Sequence, residues 1–558
     1  MKRATIMLVG IAVLGAFFVR PAAADEHGQG SARLQLVEAT IPELQKAMQT
    51  KLITPEQLVD MYLARIAAYD KHGPAVNAFL FLNPNAAAQA RALGEDDDDG
   101  HEHGKKDHSR PLFGIPVLLK DNIDTGDMPT TAGSVALAGS IPPDDAFIAH
   151  KLREAGAIIL GKGTLTEFAN FIALGMPTGY SSLGGFGFNP YDPRPLPGGD
   201  GRPVLQTGGS SSGPGISVNA NLVTVAVGTE TSGSILSPSS ANGVVGIKPT
   251  LGLVSRDGII PITADQDTAG PIARTVTDAA ILLGVLAGYD PHDPATAACL
   301  TPGNCFSDYT RFLDKKALKG ARIAVLTPIP ASRLNLINAA IAVLQAQGAE
   351  VISVPDPTST QLGTCVSYPP PAGCSTVLLY GQKRDLNKYL AATPGAPNHT
   401  IAEIVAFNAT FVPPMKYGQA IFEAAAQVDT SPGSADTLRY QADRAEDLLL
   451  SRGALDAIFN GPDGIKGTGD DVDAILSAAN FFAATPAKAG YPSITVPGGF
   501  LPPTPPIANP FPSGTTFTGR AFSEPRLIAL GYAYEQATHN RIPPASTPPL
   551  PSDSVSRP

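Results

Sequence analysis

Apolar positions recur along this chain with two periods, a helical one and a run of short continuous strands, and the switch between them predicts a sheet covered by helices. Thr54 caps a segment with Pro55 at its first helical position and Gln57 three residues after the cap; Leu58, Met61, Tyr62, Arg65 and Ile66 then follow on one face. Asn85 to Leu93 has the same period. The apolar runs Ile115 to Leu119, Ala157 to Gly161 and Leu222 to Val227 read as strands, and Ala146 to Ala155 and Thr164 to Phe171 as helices. Further on, the helix Val276 to Leu286 is followed by a strand from Arg322 to Leu326, a helix from Leu336 to Gln347 and a strand from Glu350 to Val354. Helical stretches around Val377 to Leu390 and Tyr440 to Arg452 complete an α/β pattern without internal repeats.

Four stretches break this pattern. Residues 95–110, EDDDDGHEHGKKDHSR, have no apolar face and read as a solvated insertion, although His101, His103 and His108 could hold a divalent ion loosely. Residues 175–209 are rich in glycine and proline and predict a long ordered loop. In NGPDGIKGTGDDVD, residues 460–473, a calcium loop of the EF-hand type is excluded by Ile465 at the third position and by the missing terminal glutamate, which leaves a Gly/Asp turn cluster as the preferred reading. From Pro543 the Pro/Ser-rich sequence predicts a disordered tail, residues 543–558.

Composition narrows the function. The 558 residues suit one large α/β sheet with insertions as well as they suit two domains. A net charge of −10 without a basic stripe argues against nucleic acid as a partner. Residues 1–24 have the layout of a signal peptide: Lys2 and Arg3, an apolar run from Ile6 to Val19, and Ala22, Ala23 and Ala24 before Asp25. Nothing else approaches the length of a membrane span, so a periplasmic or secreted protein without a membrane partner is expected. Cys299/Cys305 and Cys365/Cys374 are closely spaced pairs suited to an oxidising compartment, with three connectivities open.

The candidate chemistry lies between Thr207 and Pro249. Two Gly/Ser knots, Gly208 to Gly213 and Thr231 to Ser234, flank the apolar run that ends at Val227. Small residues there would let backbone N–H groups approach a bound group closely. Gly209 to Gly213 also fits GxSxG, with Ser211 as a nucleophile and His292, His399 or His539 as its base. A lysine offers another route. Lys120 follows a buried strand, where desolvation would bring its pKa toward neutrality; a serine from each knot could relay its proton, and the N–H groups of Thr231, Ser232, Gly233 and Ser234 could form an oxyanion hole.

Lys120 in PVLLKDN, GGSSSG at 208–213, GTETSGSI at 228–235 and NGVVGIKPT at 242–250 resemble the amidase signature family of serine hydrolases. GLVSRDGIIPI and QDTAGPIAR bring the chain nearest to that family's bacterial peptide amidases. The resemblance implies a mixed central β-sheet covered by helices on both faces, within a single amidase domain over residues 25–542. Insertions are expected near 95–110, 198–207 and 460–480. It implies Ser234 as the nucleophile, Ser210 as a bridging serine preceded by a cis peptide, and Lys120 as the base, with no cofactor and no metal. Small-molecule or peptide amides would be the substrates. Glu230, Ser232 and Leu236 depart from the common Asp, Gly and Arg, and the loss of that Arg favours a neutral amide over an anionic one. The family's tRNA-linked amidotransferase is set aside by the expected export. A non-catalytic calcium-binding protein is the rival from another class, and the residues leave the oligomeric state open.

Overall fold

The computed structural model describes residues 33–98, 110–411 and 415–557. Its centre is an 11-stranded mixed sheet. In chain order the strands are β1 (Phe79–Leu82), β2 (Pro116–Lys120), β3 (Ile158–Gly163), β4 (Val225–Glu230), β5 (Val245–Lys248), β6 (Thr268–Ala273), β7 (Arg322–Thr327), β8 (Glu350–Pro355), β9 (Ala474–Ala478), β10 (Ser493–Leu501) and β11 (Phe511–Thr518). Across the sheet they run β8-β7-β9-β11-β10-β5-β6-β4-β2-β3-β1. The trios β8/β7/β9 and β4/β2/β3 are parallel, and every other pairing is antiparallel.

Every residue of β2 and of β4 is buried, which explains why both read as continuous apolar runs rather than alternating ones. Adjacent residues of β10 show that both faces are covered. Ile494 meets Gly531 of the helix Glu524–Thr538, whereas Thr495 lies against Gly514, which also touches Ser240 of the helix Leu236–Ala241. Successive side chains of a strand point to opposite faces, so these two helices lie on opposite sides of the sheet. A second apolar cluster joins Phe168 and Ile172 to the helices Val377–Ala391, Ile401–Thr410 and Ala420–Gln427.

The predicted helix over Thr164 to Phe171 does not form. Only a turn at Glu167–Asn170 is present, with positive φ at Phe168, Ala169 and Asn170. The N–H of Thr166 donates to the Ser210 carbonyl and that of Phe168 to the Ala132 carbonyl, so tertiary partners take the bonds a helix would use. Both cysteine pairs close locally, Cys299 with Cys305 and Cys365 with Cys374. The helix Ala86–Asp98 runs into the acidic insertion, whose His101, His103 and His108 lie outside the described residues, as does the expected signal peptide.

The Pro/Ser-rich end is not a disordered tail. Ser554–Ser556 pairs antiparallel with Arg33–Gln35, and Asp553 is fully buried against Arg65, 2.5 Å away. Arg65 occupies the apolar face of the helix Pro55–Tyr69 and also donates to the carbonyls of Ala220, Asn221, Thr547 and Pro548. A buried guanidinium needs this set of acceptors, which a polar composition does not reveal. Asp553→Ala is therefore expected to destabilise the fold by about 3–5 kcal/mol in urea unfolding, because it leaves a buried charge unpaired. An unchanged midpoint would contradict this role of the segment.

Candidate active site

Strand β2 delivers Lys120 at its C-terminal end, fully buried. Its Nζ lies 2.7 Å from Ser210 Oγ, 2.8 Å from Thr229 Oγ1 and 3.3 Å from the Thr229 carbonyl. Among the described residues no carboxylate comes within ion-pair distance of it, whereas the buried Lys162 and Lys488 have Asp121 and Asp447 at 3.8 and 2.6 Å. Burial accordingly lowers the Lys120 pKa to about 7, against the opposing fields of Asp267 and Glu230. A neutral amine has two N–H donors and one lone pair. A carbonyl cannot donate to that lone pair, but the hydroxyls of Ser210 and Thr229 can. Lys248 is also buried and lowered to about 8, yet its Nζ donates to the Tyr491 carbonyl and has no hydroxyl partner among the described residues.

The first knot is shaped by close contact. A Cβ on Gly208 would fall 2.6 Å from the Ser237 carbonyl oxygen, and one on Gly209 would fall 2.5 Å from Thr166 Oγ1. The Gly209–Ser210 peptide is cis. Next in line, the N–H of Ser211 donates to the Ser234 carbonyl at 3.1 Å, which stitches the first knot to the second. The helix Ser212–Asn219 then carries the chain back to β4.

At the end of β4 the Glu230 carboxylate organises the second knot by accepting from the N–H groups of Gly233, Ile235 and Leu236 at 2.7, 2.8 and 3.1 Å. Gly233, at φ +85°, allows the reversal. Of the four N–H groups expected to form an oxyanion hole, that of Gly233 therefore has a partner. The Gly233 N–H is already engaged, and the groups that donate to nothing among the described residues are those of Thr231, Ser232 and Ser234. Ser234 is 8% exposed, whereas Ser210 and Lys120 are fully buried.

These features belong to a chain whose residues 57–528 match the family model described as Amidase. The protein belongs to the amidase family. It is 38% identical over 526 residues to a probable amidase of Arabidopsis thaliana, covering 92% of this chain and 93% of that one. It is 32% identical to a glutamyl-tRNA(Gln) amidotransferase chain of Microcystis aeruginosa, over 90% and 99% of the two chains. Among solved structures, the native peptide amidase of Stenotrophomonas maltophilia superposes with a TM-score of 0.76 at 38% identity, over 92% of this chain and 99% of that one. The mixed sheet flanked by helices is the fold of that peptide amidase, and the protein is a hydrolase of amide bonds.

Among the described residues of this amidase the GxSxG rival does not assemble. Ser211 is fully buried; its hydroxyl donates to the Thr229 carbonyl and accepts the Thr229 N–H, which makes it a brace for β4. No histidine among the described residues accompanies it. His292 lies by Asp290, His399 by the Leu390 carbonyl, and His539 ends the helix Glu524–Thr538. In the 460–473 loop the carboxylates of Asp463, Asp470 and Asp471 accept N–H groups of the loop itself, and Asp471 also faces Arg520. Among the described residues the one metal-compatible trio is elsewhere, at Asp257, Asp290 and His292.

Some participants carry no signal in the sequence. Thr229 holds Lys120, and Asn122 Nδ2 donates to Thr229 Oγ1 at 3.0 Å. Both stand beside candidate residues, Asn122 two positions after Lys120 and Thr229 just before Glu230. Their partnership depends on the parallel alignment of β2 with β4, which no local pattern encodes.

Proposed function

We propose that this amidase cleaves neutral amides, either C-terminal peptide amides or aryl and alkyl amides, through an acyl-enzyme on Ser234, with Ser210 and neutral Lys120 carrying the proton. The observation that supports this most is the buried amine 2.7 Å from the Ser210 hydroxyl, with no carboxylate among the described residues at ion-pair distance. As Ser234 Oγ bonds to the acyl carbon, its proton passes to Ser210 while the Ser210 proton passes to Lys120 Nζ. Charge developing on the acyl oxygen is met by the free N–H groups of Thr231, Ser232 and Ser234. Lys120 then returns its proton through Ser210 to the leaving amine, the C–N bond breaks, and water repeats the sequence against the acyl-enzyme. The chemistry calls on protein groups alone and extends to esters and carbamates.

Leu236, buried where the resemblance expects Arg, removes one cation from beside the nucleophile and supports a neutral substrate. The N-terminal pattern of residues 1–24 and the two disulfides support export, and export supports a peptide or small-molecule amide over a tRNA-bound one.

The proton path predicts a pH profile. Only the neutral amine can accept a proton, so kcat/KM for a chromogenic anilide should rise through pH about 7 as Lys120 deprotonates. EDTA should have no effect. An acid limb near pH 4, as a carboxylate base would give, or loss of activity to EDTA, would count against the proposal.

A further inference from the structure

Asp267 follows β5 and immediately precedes β6, and nothing in the proton path above uses it. It is buried beside the second knot. One carboxylate oxygen accepts from Thr231 Oγ1 at 2.5 Å, and the other accepts the N–H groups of Ile262 and Thr263 at 2.8 and 2.9 Å. Its neighbour Gln266 donates from Nε2 to the Thr231 carbonyl at 3.3 Å. Thr231 is thus gripped at both its side chain and its carbonyl, and its N–H is the first of the three free donors in the loop.

The turn that carries Asp267 is itself anchored. Asp385 accepts the Ala264 N–H at 2.8 Å, and Asp265 is held by Arg384, Arg444 and the Tyr440 hydroxyl.

We propose that Asp267 is a positioning residue for amide hydrolysis: through the Thr231 hydroxyl it orients the first N–H group of the oxyanion loop. The inference rests on the proposed acyl-enzyme at Ser234, whose oxyanion that loop would meet, and not on Lys120 as the base.

Kinetics of the full-length enzyme on a neutral anilide test this. Asp267→Asn removes the anionic acceptor and Thr231→Val the hydroxyl it holds; each should lower kcat by about 10- to 100-fold and leave KM within about twofold. Thr231→Ser keeps the hydroxyl and should stay within about threefold of the parent. An unchanged kcat in Thr231→Val, or a Thr231→Ser as impaired as Thr231→Val, would overturn the inference. If Asp267→Asn does not fold, the two Thr231 variants still decide it. Should Ser234→Ala remain active, the acyl-enzyme reading fails on its own, and a kcat loss in Thr231→Val that Thr231→Ser restores still tests the loop.

Discussion

Lys120→Met is expected to abolish amide hydrolysis, with kcat falling by about four orders of magnitude and KM little changed, because the variant loses the only base in contact with Ser210 among the described residues. Lys120→Arg should be equally inactive, since a guanidinium does not deprotonate in the working range. The same substitution has a thermodynamic signature that separates lost chemistry from lost structure. The folded-state pKa of Lys120 is depressed to about 7, against an ordinary value near 10.5. Between those pH values the unfolded chain binds more protons than the folded one, so this group makes stability rise with pH from about 7 to about 10.5. Lys120→Met should flatten that rise, which thermal unfolding at pH 7 and pH 9 would show as a smaller difference in Tm. A variant that is inactive but keeps the parent slope would mean that Lys120 is charged in the folded protein, and the proposed base would be lost with it.

Ser234→Ala should reduce kcat by about 10⁴- to 10⁶-fold, the range expected when a nucleophile is removed and the binding and oxyanion groups remain. Ser211→Ala makes the informative contrast. Its hydroxyl braces both the N–H and the carbonyl of Thr229, so its loss should lower stability by about 1–3 kcal/mol while activity stays within about tenfold of the parent. Anilide hydrolysis by the two purified variants decides between them, since the reverse pattern would restore the GxSxG reading.

The parts of this fold that are legible in the sequence are those governed by local pattern. The capped helix from Pro55 and the helix Val276–Leu286 announce themselves through period and cap, and β2 and β4 through continuous burial. The Lys120–Ser210 contact is legible only because three motifs and a family resemblance point to one place; its residues are 90 apart. What stays hidden depends on long-range partners. The Pro/Ser-rich end looks unstructured until Arg65 is seen to need Asp553, nearly the whole chain away. The turn at Glu167–Asn170 has a helical sequence overruled by bonds to Ala132 and Ser210. Likewise, the loss of Gly233 from the free donors follows from the reach of the Glu230 side chain, which sequence marks only as a departure from the usual aspartate.

Active-site labelling addresses the central claim most directly. The full-length enzyme, incubated with a fluorophosphonate and digested, should carry the phosphonyl group on the peptide containing Ser234, as read by mass spectrometry. Labelling should disappear in Ser234→Ala, slow strongly in Lys120→Met and persist in Ser211→Ala. A label found on Ser211, or labelling of Ser234 that proceeds at the parent rate without Lys120, would contradict the account.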